Sequence, residues 1–237
     1  MRIMFIVDHP YGIESAADIP HRRSFTAAVA AAAIRGAERA GHEIDLVDLA
    51  ADGFDPVMSR DDLVAWRLTS VVDPLVADYQ RRLMLADHVV FAFPVWWESM
   101  PASTKGFLDR VLTKGIVFEE IAGAKGNPFR NLMTRLGGVT VLSVMTTPDK
   151  VYHWWFGDPL TKVVFRGTFG KIGVKDLRWV NFASITEKTD AERAALLLQT
   201  EERFAAMGSA RRLRPLGFSS LGRRWRAGVL GAAAGGG

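Results

Sequence analysis

Three short, nearly continuous apolar runs constrain this chain most: RIMFIV at residues 2 to 7, HVVFAF at 88 to 93 and GVTVLSVM at 138 to 145. Each is too short for a buried helix, and none alternates as a strand with one wet face does. Runs of this kind suit strands covered on both sides, as in a parallel sheet. EIDLVDL (43 to 49), which alternates, and VKDLRWVNF (174 to 182) also read as strands.

Helical segments separate these strands. SFTAAVAAAAIRGAERAGH carries alanine for propensity, Ser24 as N-cap and Gly41 as the stop. Residues 61 to 86, which include Pro74, read as largely helical, and so do 101 to 112. ITEKTDAERAALLLQTEERFAAMG spaces its apolar residues for an amphipathic terminal helix. The order β-α-β-α-β-α-β-α-β predicts an α/β fold, a doubly wound five-stranded parallel sheet with helices on both faces. The glycine-containing stretch 113 to 137 is long for a connection and is expected to form a functional loop or excursion.

Composition narrows the chemistry. There is no cysteine, which excludes disulfides, thiol nucleophiles and cysteine-ligated metal centres. His9, His21, His42, His88 and His153 show no metal-like spacing, so no metal site is expected. The opening apolar run is too short for a signal peptide, and no stretch approaches the roughly 18 apolar residues of a membrane span. A soluble, cytoplasmic protein is expected. The net charge of +4 is uneven. Residues 211 to 237 hold Arg211, Arg212, Arg214, Arg223, Arg224 and Arg226 and no acid, so subtracting those six leaves −2 for residues 1 to 210. This division predicts a folded body, 1 to 210, and a basic, flexible tail, 211 to 237. A nucleic-acid binder more often carries its charge on the body, so no nucleic-acid partner is expected. Membrane contact through the tail is the alternative to plain disorder.

In such sheets ligands bind beyond the carboxyl ends of the strands, where strand order reverses. DHPYGIESAADIPHRRSFT follows the first strand. It lacks G-x-G-x-x-G and Walker A spacing. It does bring His9, Arg22, Arg23, Ser24 and Thr26 to a helix start, where N–H groups, hydroxyls and cations suit a phosphate. The other reading is a plain cap at Ser24 with solvated arginines. PVWWESMPA follows the third strand. Trp96 and Trp97 are adjacent and cannot both lie on one strand face. Two aromatic faces with free amides in a proline-stiffened loop match a flat isoalloxazine; the other reading is one tryptophan in the core and one in a dimer interface. TTPDKVYHWW, after the fourth strand, brings Thr146, Thr147, Tyr152 and His153. A phenol and an imidazole there can stabilise negative charge on a reduced flavin. Otherwise Tyr152 lines a core edge and His153 is solvated.

As a set, these segments resemble the flavodoxin-like NAD(P)H:quinone reductases, the DT-diaphorase type family. FPVWWESMPASTKGFLDRV carries the most specific likeness. The family's F-P-[aliphatic]-x-W, then proline, then K-G-[aromatic]-x-[DE]-R-V is matched by Phe93, Pro94, Trp97, Pro101, Lys105, Gly106, Phe107, Asp109, Arg110 and Val111. GFDPVMSRDDL (53 to 63) is similar to the family's segment after the second strand, and Ser24–Phe25 stands where the family carries Ser-Phe-Asn. The likeness covers most of residues 1 to 185. It departs at Thr26, in place of asparagine, in the longer loop from Pro10 to Arg23, and at Pro148 and Asp149, in place of a glycine pair.

The resemblance implies a flavin-binding domain over residues 1 to 210, with the phosphate end of the flavin at His9, Ser24, Phe25 and Thr26. The ring would contact Pro94, Val95, Trp96 and Trp97 on one side and Thr146, Thr147 and Pro148 on another. Tyr152 and His153 are the nearest candidates for the tyrosine and histidine that assist hydride transfer in the family, and Phe118 stands where members place a substrate-facing tyrosine. The implied activity is ping-pong, two-electron reduction of quinones or similar flat acceptors by NADH or NADPH, in a homodimer whose second subunit completes the site. The overall likeness favours FAD over FMN. A flavin-binding regulatory subunit of a potassium-efflux antiporter and a flavin electron carrier are the alternative roles.

Overall fold

The computed structural model describes residues 1–17 and 24–208. Its strands, in chain order, are β1 (Arg2–Val7), β2 (Glu43–Asp48), β3 (His88–Pro94), β4 (Phe118–Glu120), β5 (Phe129–Asn131), β6 (Gly138–Val144) and β7 (Asp176–Phe182). The helices are α1 (Phe25–Arg39), α2 (Arg60–Arg67), α3 (Pro74–Leu85), α4 (Ala102–Val111), α5 (Asp149–Trp154) and α6 (Asp190–Ala205), with a π-helical segment at Thr161–Gly170. The main sheet runs β2-β1-β3-β6-β7 and every pairing is parallel. This is the five-stranded, doubly wound α/β sheet expected from the apolar runs.

Helices cover both faces of the sheet. Along β1, Ile3, Phe5 and Val7 join α1 and α6, while Met4 and Ile6 join α3, α4 and the π-helical segment. β3 and β6 are buried at every position, which is why they read as unbroken runs. α1 starts at Ser24, whose hydroxyl accepts from the Ala27 N–H at 3.0 Å. α6 starts with a capping box between Thr189 and Glu192. The two helices meet at Gly36, where an added Cβ would lie 2.1 Å from the Glu201 carbonyl oxygen.

The structure corrects the sequence reading in three places. Residues 61 to 86 are two helices. Thr69 turns left-handed (φ 54°) after α2, and Asp73 caps a new start with Pro74 in first position. The excursion at 113 to 137 contains the antiparallel β4–β5 ribbon. TTPDKVYHWW is not all loop, since α5 begins at Asp149 and carries Tyr152 and His153. The tail from 211 to 237, and Arg22 and Arg23, lie outside the described residues. Among the described residues no helix is long and apolar enough to cross a membrane.

Candidate functional site

Strand order reverses at β1, which has β2 on one side and β3 on the other. The crevice for a ligand therefore opens over the carboxyl ends of β1 and β3. β1 ends with Val7 opposite Ala92, and β3 ends with Pro94 opposite Val144.

Asp8, just past β1, donates its N–H to the Ala92 carbonyl at 2.9 Å. Its Oδ2 accepts from the Thr104 N–H at 2.7 Å and from the Thr104 hydroxyl at 2.6 Å. Pro101 gives α4 no side-chain cap, so Asp8 supplies one from a different strand. Burial pushes the Asp8 carboxyl above its ordinary range, and the Thr104 bonds oppose that shift. Burial holds the His9 imidazole below its ordinary value, against the pull of Asp8 and Asp48. The neutral imidazole is thereby favoured. The Tyr11 N–H donates to His9 Nδ1 at 3.3 Å, which assigns the ring proton to Nε2. Ser24 is committed to capping α1, and Phe25 and Thr26 follow in the first turn, where N–H groups have no intrahelical acceptor. The Phe25 ring is buried edge-on against Phe182 at 5.9 Å.

The loop after β3 is a tight hairpin. The Val95 N–H donates to the Val144 carbonyl at 2.8 Å, and Trp96 and Ser99 exchange two bonds of 3.0 Å. Between them Trp97 (φ 50°) and Glu98 (φ 60°) are both left-handed, the pattern of a type I′ turn. Asn-Gly normally fills that turn. A larger residue in this conformation costs about 1–2 kcal/mol. The Trp97 side chain is fully exposed and Trp96 is 47% exposed. Neither tryptophan is a core residue.

The loop after β6 meets this turn. The Thr147 hydroxyl donates to Glu98 Oε1 at 2.7 Å, while Thr146 and Pro148 are exposed. Tyr152 is wholly buried. Its hydroxyl donates to the Glu98 carbonyl at 3.0 Å and accepts from the Leu160 N–H at 3.1 Å. The phenol proposed for catalysis is thus turned away from solvent, and burial pushes its ionisation up beyond the usual tyrosine range. His153 lies between two carboxylates, 3.4 Å from Asp149 and 3.4 Å from Asp158, and edge-on to Trp179 at 5.2 Å. Asn181 steadies Asp149 at 3.0 Å and is itself held by Ser143 at 2.9 Å. Phe118 is apart from this group, on β4, packed against Phe129 at 5.8 Å.

Among the described residues, three buried polar atoms around Tyr152 have no hydrogen-bond partner: Glu98 Oε2, His153 Nδ1 and Asp158 Oδ1. Such orphans call for an explanation in a native protein, and ligand sites are one place where they collect. Sequence reasoning missed Asp8 and Glu98. An acid directly after a buried strand was a usable signal for Asp8. Nothing in spacing or composition marks Glu98.

A family model described as flavodoxin-like fold matches residues 1–204. NAD(P)H dehydrogenase (quinone) 1 of Rattus norvegicus is 31% identical over 136 residues, which are 50% of this chain and 49% of the rat protein. The chain spans about half the length of the curated relatives it matches at this level. Among solved structures, an NAD(P)H:quinone oxidoreductase from Methanothermobacter marburgensis superposes with TM-score 0.72 at 20% identity, over 86% of this chain and 98% of the other. An FMN-dependent NADH-azoreductase from Bacillus anthracis, in complex with FMN, gives 0.68 at 13% identity, over 86% and 98%. At these identities the likeness shows the fold.

Proposed function

Because the chain belongs to the family described as flavodoxin-like fold, and resembles NAD(P)H dehydrogenase (quinone) 1 over half its length, we propose that it is a flavin-dependent NAD(P)H oxidoreductase that reduces quinones or similar flat acceptors. The observation that carries this reading is Trp97. A fully exposed indole, held in a costly left-handed turn just beyond the carboxyl end of β3, packs against nothing among the described residues. It does suit a flat ligand.

The residues present fit a flavin. Neutral His9, with its Nε2–H, and the amide-rich start of α1 at Ser24, Phe25 and Thr26 would hold the phosphate end. Pro94, Val95, Trp96 and Trp97 would face the ring from one loop, and Thr146, Thr147 and Pro148 from the other. When bound, the flavin would supply two-electron hydride chemistry, taken from NADH or NADPH and passed to the acceptor in ping-pong order. His153, flanked by Asp149 and Asp158, would hold a proton for the reduced acceptor at this edge. Tyr152 supports the turn instead, because its hydroxyl is already committed to two backbone groups. Phe118, partly buried on β4, is the proposed acceptor contact.

The cofactor proposed is FAD. The setting proposed is cytoplasmic, as a homodimer whose second copy covers exposed aromatic surface such as Trp154, Trp155 and Phe156. The test is the visible absorption spectrum of the purified protein, with the released chromophore identified by mass. A two-band flavin spectrum is expected, and the mass separates FAD from FMN. Trp96→Ala and Trp97→Ala should both lower flavin retention. Unchanged retention in both would remove the platform from the reading.

A further inference from the structure

The left-handed turn at Trp97 and Glu98 is held from across the crevice. The Thr147 hydroxyl binds the Glu98 carboxylate at 2.7 Å. The Tyr152 hydroxyl binds the Glu98 carbonyl at 3.0 Å and receives the Leu160 N–H at 3.1 Å. Glu98 is thereby tied to the β6 loop directly, and to α5 and the approach to the π-helical segment through one phenol. Its second carboxylate oxygen is buried and has no hydrogen-bond partner among the described residues. Burying a carboxylate oxygen in that way lowers stability and offsets part of what the two bonds contribute, while the bonds still fix the position of Glu98. The residue so fixed is followed back one step in the chain by Trp97, whose side chain stands free in solvent.

We propose that Glu98, Thr147 and Tyr152 form a clamp that locks the Trp96–Ser99 turn and presents Trp97 as a rigid stacking platform. All three are then positioning residues. The proposal rests on the flavin reading for the identity of the stacked ligand. It gives Tyr152 a mechanical role in place of a chemical one. The carboxylate acceptor makes the Thr147 bond the stronger of the two, since charge-assisted hydrogen bonds are roughly twice as strong as neutral ones. The Tyr152 bonds add direction, because one hydroxyl donates to the turn and accepts from the far element at once.

The clamp is tested in the full chain by amide exchange at Trp96 and Ser99, whose N–H groups bond across the turn. In Thr147→Val both amides should exchange about tenfold to a hundredfold faster, the range for losing one hydrogen bond to a charged group. In Tyr152→Phe the gain should be about threefold to tenfold. Amides of β3 should keep their rates in both variants, which separates loosening of the turn from unfolding. Glu98→Gln, which keeps an acceptor oxygen, should fall between the wild type and Glu98→Ala. In Tyr152→Phe, KM for a flat quinone should rise in step with exchange while kcat holds. Unchanged exchange at Trp96 and Ser99 in both Thr147→Val and Tyr152→Phe would overturn the clamp. A lowered kcat with unchanged KM in Tyr152→Phe would also overturn it, because that is the mark of direct chemistry. A wild-type protein that takes up neither FAD nor FMN, yet shows the faster exchange in the variants, would remove the flavin reading and keep the clamp. Normal flavin uptake with unchanged exchange would do the reverse.

Discussion

The layer made by α1 and α6 and the edge made by the loops after β3 and β6 use side chains in opposite ways. In the helical layer small residues are buried and charges stay at the rim. Ala27, Ala28, Ala30, Ala32, Ala33 and Ala37 are covered, Gly36 touches the α6 backbone, and Arg35 and Arg39 reach Glu201 outside. At the edge the largest side chains are exposed, and buried polar atoms are left without partners. Trp96, Trp97, Trp154 and Trp155 face solvent, Trp97 and Glu98 are left-handed, and Glu98 Oε2 is an orphan. Packing accounts for the small residues buried between these two helices. It accounts for few residue choices at the edge, where the chain is shaped for something other than its own stability.

Breaking the helical layer should have the largest effect. An alanine Cβ at Gly36 would press on a backbone oxygen that cannot rotate away. Gly36→Ala should cost about 3 kcal/mol, read from the urea midpoint. Next is buried His88, whose Nε2 lies 2.8 Å from the Thr140 hydroxyl. Burial, with Arg178 nearby, lowers its pKa from 6.5 to about 4. A depressed folded value means this contribution is complete above pH 6.5 and is lost as pH falls through about 4. The loss should approach about 3 kcal/mol, and His88→Gln should flatten the slope across that window. Thr104→Val leaves Asp8 with one donor of two and should cost about 2 kcal/mol in the same denaturation assay. The smallest effect sharpens the contrast by having the opposite sign. Trp97→Gly removes no packing and relieves a left-handed φ, so stability should rise by about 0.5 kcal/mol while flavin retention falls. A loss of stability there would place Trp97 with the scaffold.

The same contrast decides what was legible in the sequence. Strands buried on both faces are apolar at most positions, so β1, β3 and β6 could be read from their runs. The loops around His9, Trp97 and Thr147 were legible as a set because their residue types and order match a family pattern. Contacts across the chain were not. Glu98 acquires its role from Thr147, 49 residues away, and Asp8 from Thr104, 96 residues away. Tyr152 reads locally as a candidate proton donor, and only the Glu98 and Leu160 backbones reveal that its hydroxyl is taken. The π-helical segment buries Val164, Phe165 and Phe169; the four-residue step from Phe165 to Phe169 is equally an α-helical spacing, so nothing in the pattern marks the wider winding. The break at Thr69 was hidden because a left-handed threonine has no signature of its own.

The most direct test of the central claim is steady-state oxidation of NADH and of NADPH by the flavin-loaded protein, with a soluble benzoquinone varied against each donor. The account predicts turnover, with parallel lines in double-reciprocal plots as donor and acceptor occupy the Trp97 platform in turn. Protein loaded with FAD or FMN that oxidises neither donor, or that gives intersecting lines, would contradict it.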